Sequence, residues 1–214
     1  SLSPSIPPRR IRVGVLSRLA STDPREIHDH VTGLILMQSY ETAYSAPPDG
    51  GPPRPLLFAE PLRAESGGLV LSAAIRPGTV FSDGTPCTAA AVAAALSRVG
   101  DLSARAEIRA REDRVEFRLS SREPNFATHL TQPFCAVAVE SKGQLVGTGP
   151  FLAPEPLDGS DPTRAARLLL RPNPRAARPP AAGGILFEVY PDAEALLAAE
   201  IGRASCRERV WTVV

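Results

Sequence analysis

Residues 75–99 read IRPGTVFSDGTPCTAAAVAAALSRV and predict a strand end, a tight turn, a helix start and an apolar helix in one uninterrupted run. Asp83 and Gly84 supply turn chemistry, because aspartate tolerates a left-handed backbone and glycine has no Cβ to oppose it. Thr88 stands where a helix N-cap is expected, since its hydroxyl can accept from an unpaired backbone N–H. Larger apolar residues then recur at helical spacing and predict one core-facing stripe: Val92, Leu96 and Val99.

The composition is that of an ordinary globular protein. The chain has 214 residues, of which 43% are hydrophobic, so it has ample material for a core. Its formal net charge of +1 gives no electrostatic footprint for nucleic acid or for an anionic membrane. Three cysteines without a Cys-x-x-Cys pair indicate neither a disulfide framework nor a zinc site. No apolar run reaches the roughly 18 residues of a membrane-spanning helix.

The remaining pattern mixes strands and helices. Residues 11–16 predict a first strand, and residues 25–39 predict a helix that starts at Asp23 and Pro24. An antiparallel β unit carrying the Thr88 helix is expected from several short alternating runs. These strands are predicted at residues 56–61, 69–75, 107–110 and 114–119. Further strands are predicted at 134–139, 167–171 and 185–190, and further helices at 126–130 and 192–199.

The segment VGTGPF at residues 146–151 interrupts this pattern, and its small and rigid residues predict a close approach of two backbones. Gly147-x-Gly149 lacks both the six-residue dinucleotide spacing and the P-loop lysine, so nucleotide binding is not predicted.

No catalytic or metal site is predicted. His28 and His30 flank Asp29, but positions two apart on a helix point to different faces and do not chelate one ion. His129 is isolated in the sequence. No Gly-x-Ser-x-Gly motif is present, and no Ser, His and Asp residues form a recognisable triad pattern.

Seven segments in order resemble the family 5 extracytoplasmic solute-binding proteins, which serve oligopeptide, dipeptide and nickel ABC importers. Each segment alone is weak, but their common order is specific. They are residues 11–16, 57–61, 75–92, 114–125, 146–151, 170–173 and 187–192.

The resemblance implies a mixed α/β fold of the type II periplasmic-binding-protein kind, represented by its first lobe only. It implies a receptor without a catalytic step or cofactor, working outside the cytoplasm as a monomer. Its partners would be a peptide or other small solute and the membrane permease of an ABC importer. The solute would be held by closure of two lobes.

The resemblance also suggests where a ligand would be contacted. The loop after the first strand, residues 17–23, contributes the candidates Ser21, Thr22 and Asp23. The segment VGTGPF at residues 146–151 contributes the candidates Gly147, Thr148 and Gly149.

Two departures from the family pattern leave the ligand type open. Pro61 replaces the tryptophan expected after Ala59-Glu60. Ala90 and Ala91 replace an acidic pair, so the reciprocal half of a capping box is lost.

The expected organisation has three parts. Residues 1–10 form an extended leader, and residues 11–199 form an incomplete first lobe in which a β-rich subdomain, at about 40–140, is inserted in a mixed-sheet subdomain. Residues 200–214 are expected to be a non-native tail, because residues 201–210 resemble a translated sequencing adapter. The chain is therefore interpreted as a truncated reading frame.

Two alternative interpretations stay open: a solute-binding-like sensor domain of a transcriptional regulator, and an α/β globular domain outside this family. An upstream helix-turn-helix would favour the regulator, whereas a signal peptide with a lipobox cysteine would favour the importer receptor.

Overall fold

A computed structural model describes the backbone of residues 9–204 and 210–212 and the side chains of residues 9–200. Most of the predicted leader and part of the predicted non-native tail therefore lie outside the described residues.

The described chain contains thirteen strands, five α-helices and three 3-10 turns. The helices are α1 (His30–Leu36), α2 (Ala89–Leu96), α3 (Gly100–Arg105), α4 (Phe126–His129) and α5 (Ala193–Ala204). The 3-10 turns are Pro24–Glu26, Ser66–Gly68 and Pro133–Cys135. The strands are β1 (Ile11–Val15), β2 (Tyr44–Ser45), β3 (Arg54–Pro55), β4 (Arg63–Glu65), β5 (Val70–Ala74), β6 (Ala106–Arg111), β7 (Arg114–Leu119), β8 (Val139–Ser141), β9 (Gln144–Val146), β10 (Glu155–Pro156), β11 (Arg167–Leu170), β12 (Ile185–Val189) and β13 (Val210–Thr212).

Two main sheets organise the fold. The first is mixed and has the order β10-β11-β12-β1-β13, in which β1 is parallel to both of its neighbours. The second is antiparallel and has the order β4-β5-β7-β6. Two small hairpins, β2-β3 and β8-β9, lie beside these sheets. The predicted mixed α/β fold with an antiparallel β unit is confirmed.

Each main sheet has its own hydrophobic core. One core is built from residues between 43 and 137, and it packs α2 against the antiparallel sheet. The other core is built from residues 13–40 and 136–187, around the mixed sheet and α1. The chain thus leaves the mixed sheet after α1, forms the antiparallel unit and returns near residues 136–151.

Helix α5 covers the mixed sheet at Gly14. A Cβ placed on Gly14 would lie 2.1 Å from Cδ1 of Leu196, whose side chain is buried. The absence of a side chain at Gly14 therefore lets the helix lie close to β1.

Residues 75–99 form the predicted turn and helix. Asp83 accepts from the Thr85 N–H at 2.9 Å, and Gly84 has a φ of +94°. The hydroxyl of Thr88 accepts from the Ala91 N–H at 3.2 Å and caps α2. The predicted core stripe, Val92, Leu96 and Val99, is buried.

Three sequence predictions were wrong. Residues 56–61 do not form a strand of the antiparallel sheet, because their backbone N–H groups donate partly to residues 42–43 and only Phe58 makes an isolated bridge; β4 pairs with β5 instead. The helix expected over residues 25–39 is a 3-10 turn followed by the shorter α1, because Asp29 caps a new helix by accepting from the Thr32 N–H at 2.8 Å. Residues 134–139 do not form one strand, because Pro133 starts a 3-10 turn and only Val137 makes a bridge before β8.

Candidate functional site

The loop after β1 begins at the carboxyl edge of the mixed sheet. There the parallel strands β1 and β12 both end, and the Tyr190 N–H donates to the Val15 carbonyl at 2.9 Å. The loop is fixed across this edge by Arg18, whose guanidinium donates to the Arg164 carbonyl at 2.7 Å. A cleft of about 370 Å³ opens at this point, and we call it the carboxyl-edge cleft. It is lined by Leu16, Ser17, Arg18, Ala166, Val189, Tyr190 and Pro191.

The candidates Ser21 and Asp23 are engaged in the turn that follows. The Ser21 hydroxyl donates to Oε2 of Glu26 at 2.6 Å and accepts from the Asp23 N–H. The Asp23 carboxylate accepts from the Arg25 backbone N–H at 2.9 Å and from the Arg25 guanidinium. Partial burial opposes ionisation of Asp23, but these bonds and the Arg25 charge outweigh it and lower the pKa of Asp23. Both side chains therefore shape the loop.

Thr22, the third candidate in this loop, is exposed and lines a second and larger cleft. This cleft, which we call the junction groove, has a volume of about 780 Å³ and lies between the antiparallel unit and the mixed sheet. Its lining comes from residues 22, 40, 82–83, 143–146, 152–156, 162 and 171.

The candidates Gly147 and Gly149 lie in the interior, against the end of α1. A Cβ on Gly147 would lie 2.3 Å from the Ser39 carbonyl oxygen, and one on Gly149 would lie 2.5 Å from the Ser39 carbonyl carbon. The Gly149 N–H donates to the Ser39 carbonyl at 3.1 Å, and the Gly149 carbonyl accepts from the Asn173 side-chain amide at 2.8 Å. The close backbone approach predicted for this segment is present.

The remaining candidate, Thr148, is buried and joins a polar network. Its hydroxyl donates to Oε2 of Glu41 at 2.7 Å, and Arg76 donates to the same oxygen at 3.3 Å. The Arg76 guanidinium also donates to the Leu56 carbonyl at 2.6 Å. This network, Glu41, Arg76 and Thr148, connects three distant segments where the two cores meet. The structure does not bring the Gly147–Gly149 candidates and the Ser21–Asp23 candidates to one common surface.

Two residues that line the junction groove, Ser82 and Asp83, were not candidates in the sequence and are held by residues outside the lining. Ser141, at the end of β8, donates to Oδ2 of Asp83 at 2.6 Å. The Ser82 N–H donates to the Gly147 carbonyl at 2.9 Å, and Arg175 donates to the Ser82 carbonyl at 3.1 Å. The turn signal at Asp83 was readable in the sequence, but its partners are too distant in the chain to be predicted.

The histidines and cysteines considered in the sequence have the following surroundings. Asp29 is used as a helix cap between the exposed His28 and His30. Within the described residues, no group of three or more His, Cys, Asp or Glu side chains could hold a metal ion. Burial raises the pKa of the Cys87 and Cys135 thiols to about 12, so neither is a thiolate at neutral pH.

No helix in the described part of the chain combines the length and the apolar character needed to cross a membrane.

Comparison with known families gives one match over most of the chain. The model described as bacterial extracellular solute-binding proteins, family 5 Middle, matches residues 53–204. No curated protein has a significantly similar sequence.

Several solved structures have the same fold. Listeria monocytogenes OppA bound to peptide has a TM-score of 0.77 at 16% identity, over 92% of this chain and 45% of that chain. AppA, the oligopeptide-binding protein of Bacillus subtilis in complex with a nonapeptide, has a TM-score of 0.76 at 18% identity, over 94% of this chain and 44% of that chain. A nickel ABC transporter structure from Bacillus halodurans has a TM-score of 0.74 at 23% identity, over 91% of this chain and 42% of that chain.

At these identities the likeness establishes the fold. The predicted resemblance to this fold and family is confirmed, and the chain spans less than half the length of the structures it matches.

Proposed function

The chain is a member of the bacterial extracellular solute-binding proteins of family 5, and we propose that it forms the first lobe of an ABC importer's receptor. The solute would be a peptide or a similar small molecule, as in the solved OppA and AppA structures of the same fold. The receptor would bind and deliver its solute without a catalytic step. A nickel ABC transporter structure has the same fold, so the fold alone does not decide which class of solute is bound.

The observation that carries this proposal is the carboxyl-edge cleft. In α/β sheets, ligands bind beyond the carboxyl ends of parallel strands, where the strand-to-helix loops leave the sheet. Here the ends of β1 and β12 open into such a cleft. It offers the apolar side chain of Leu16, the guanidinium of Arg18 and the ring of Tyr190, so it could contact both apolar and polar parts of a solute.

A shallow cleft of about 370 Å³ on one lobe encloses little of a peptide. We propose that a second lobe closes over the carboxyl-edge cleft, buries the solute and creates the surface that the permease recognises. The fact that the chain spans less than half of the matched structures supports this division.

The organisation expected from the sequence becomes part of the same proposal. Residues 11–199 would form the first lobe, with the β-rich subdomain at about 40–140. Residues 200–214 would be a non-native tail, although the family match extends to residue 204 and β13 pairs with β1. The two separate cores support the subdomain boundary. Among the ligand-contact candidates, Thr22 is exposed but lines the junction groove and not the carboxyl-edge cleft. The buried Gly147, Thr148 and Gly149 suit a supporting role.

The family description places its members outside the cell. We propose the same for this protein, either in the periplasm or lipid-anchored at the cell surface, where it would act as a monomer with its permease.

A negative charge introduced in the cleft tests the ligand site in the two-lobe protein. Leu16→Asp puts a carboxylate beside the proposed solute, whereas Leu69→Asp puts one on the antiparallel unit. The two leucines are matched in solvent exposure, at 38% for Leu16 and 39% for Leu69. Leu16→Asp should weaken binding from an oligopeptide pool roughly tenfold, and Leu69→Asp should leave it unchanged. Equal affinities of both variants and the unchanged protein would place the ligand elsewhere.

A further inference from the structure

We propose that the junction groove is a second binding site, distinct from the carboxyl-edge cleft, and that it takes a cationic amine on an aliphatic stem, such as a lysine side chain.

The groove has the dimensions and the mixed lining of a small-molecule site. Its volume of about 780 Å³ lies within the range of ligand pockets. Apolar walls come from Leu145, Val146 and Leu152, and prolines 154 and 156 line it further along. These surfaces can cover the methylene groups of an aliphatic stem, leaving the charged end to a polar partner.

Asp83 provides that partner at the groove. Its Oδ2 accepts from the Ser141 hydroxyl at 2.6 Å, and its Oδ1 accepts from the N–H and hydroxyl of Thr85. These bonds, led by that from Ser141, lower the pKa of Asp83 to about 2. The carboxylate is therefore ionised at neutral pH and held in a fixed position.

The charge of Asp83 is not neutralised by the protein. Among the side chains of residues 9–200, no Lys, Arg or His nitrogen lies within ion-pair distance of its carboxylate. The other two charged residues at the groove, Glu155 and Arg171, pair with each other at 2.9 Å. Arg175, which lies near the turn, donates to the Ser82 carbonyl. The lining thus carries one uncompensated negative charge, which a cationic ligand complements.

Prolines restrict the kind of ligand that the groove can hold. Pro154 precedes the edge strand β10 and Pro156 lies within it, and a proline has no N–H to donate to an added strand. A side chain or small amine entering the groove therefore fits better than a peptide extending the sheet.

The test is an NMR titration of this chain with two probes, Nα-acetyl-lysinamide and its uncharged analogue Nα-acetyl-norleucinamide. The amide signals of Gly84, Gly143 and Gln144 should shift saturably with the lysine probe and little with the neutral one. Asp83→Asn should weaken lysine-probe binding about fivefold, as expected for one solvated charge pair.

Two further variants separate charge from structure. Asp158 makes the same type of turn with the N–H and hydroxyl of Ser160 but lies outside the groove lining, so Asp158→Asn is a matched control. Asp158→Asn should bind the lysine probe as the unchanged chain does. Ser141→Ala keeps the Asp83 carboxylate but removes the donor that holds it, so its binding should be weaker than that of the unchanged chain and tighter than that of Asp83→Asn.

The proposal is overturned by the absence of saturable shifts, by equal binding of both probes, or by undiminished binding to Asp83→Asn. Because the groove is formed by described residues of this chain alone, these outcomes are independent of the solute that the two-lobe receptor carries.

Discussion

The Thr148 hydroxyl donates a hydrogen bond of 2.7 Å to Oε2 of Glu41, and this bond joins the Gly-Thr-Gly segment to the chain that leaves α1. Arg76 donates to the same carboxylate oxygen from the end of β5. Polar groups at the meeting point of two cores thus hydrogen-bond to each other, and removing one member leaves a partner poorly solvated.

Thr148→Val should therefore destabilise the fold. Valine keeps the shape of threonine but removes the hydroxyl, so Glu41 loses its shortest donor. We expect the free energy of unfolding to fall by ~1–3 kcal/mol, measured by urea denaturation at pH 7. Thr131→Val is the control, because the Thr131 hydroxyl bonds only within an exposed local turn. Equal effects of the two substitutions would argue against the network.

Gly149→Ala should be costly because of the close approach to α1. The added methyl group would lie 2.5–2.8 Å from backbone atoms of Ser39 and Gln38, which cannot move like a flexible side chain. A loss of about 1–3 kcal/mol or more is expected from such overpacking. Gly100→Ala, where no atom lies within 4 Å, should be neutral or slightly stabilising. Thermal unfolding of both variants measures the difference, and an unchanged Gly149→Ala protein would contradict the packing.

The N-cap of α2 can be tested by itself. Thr88→Ala removes the acceptor of the Ala91 N–H and should lower the free energy of unfolding by about 1 kcal/mol. Thr88→Ser retains an accepting hydroxyl and should restore most of the loss. If serine and alanine at this position gave the same urea midpoint, the hydroxyl would have no capping role.

The lowered pKa of Asp83 predicts that the free energy of unfolding depends on pH. Hydrogen bonds lower its pKa from 3.8 in the unfolded chain to about 2 in the fold. Its contribution is therefore complete above the unfolded pKa and is lost as the pH falls through about 2. Asp83→Asn should be less stable than the unchanged chain at pH 7, and the gap should close between pH 4 and pH 2. Urea denaturation across this range measures the gap, and a pH-independent gap would contradict the assignment.

Local features of this fold could be predicted from the sequence. The turn at Asp83 and the cap at Thr88 depend on neighbours two or three residues away, so the sequence contains their whole explanation. The start of α1 was harder, because Asp23 and Asp29 are both good caps, and the chain uses each for a different element.

The site depended on contacts that no local pattern encodes. Glu41 and Thr148 are 107 residues apart, and Ser141 and Asp83 are 58 apart. Gly147 and Gly149, which remain candidates for ligand contact, lie against the backbone of Ser39. The small residues correctly indicated that two backbone segments lie close together, but the sequence did not identify the backbone of Ser39 as the partner.

The central claim is that this chain is one half of a two-lobe receptor. Its most direct test is calorimetric titration of an oligopeptide pool into the 214-residue chain and into the same protein completed by a second lobe. We predict micromolar binding by the two-lobe protein and binding at least about 100-fold weaker by the single lobe, because half of the enclosing surface is missing. Equal micromolar affinity of the two proteins would contradict the claim.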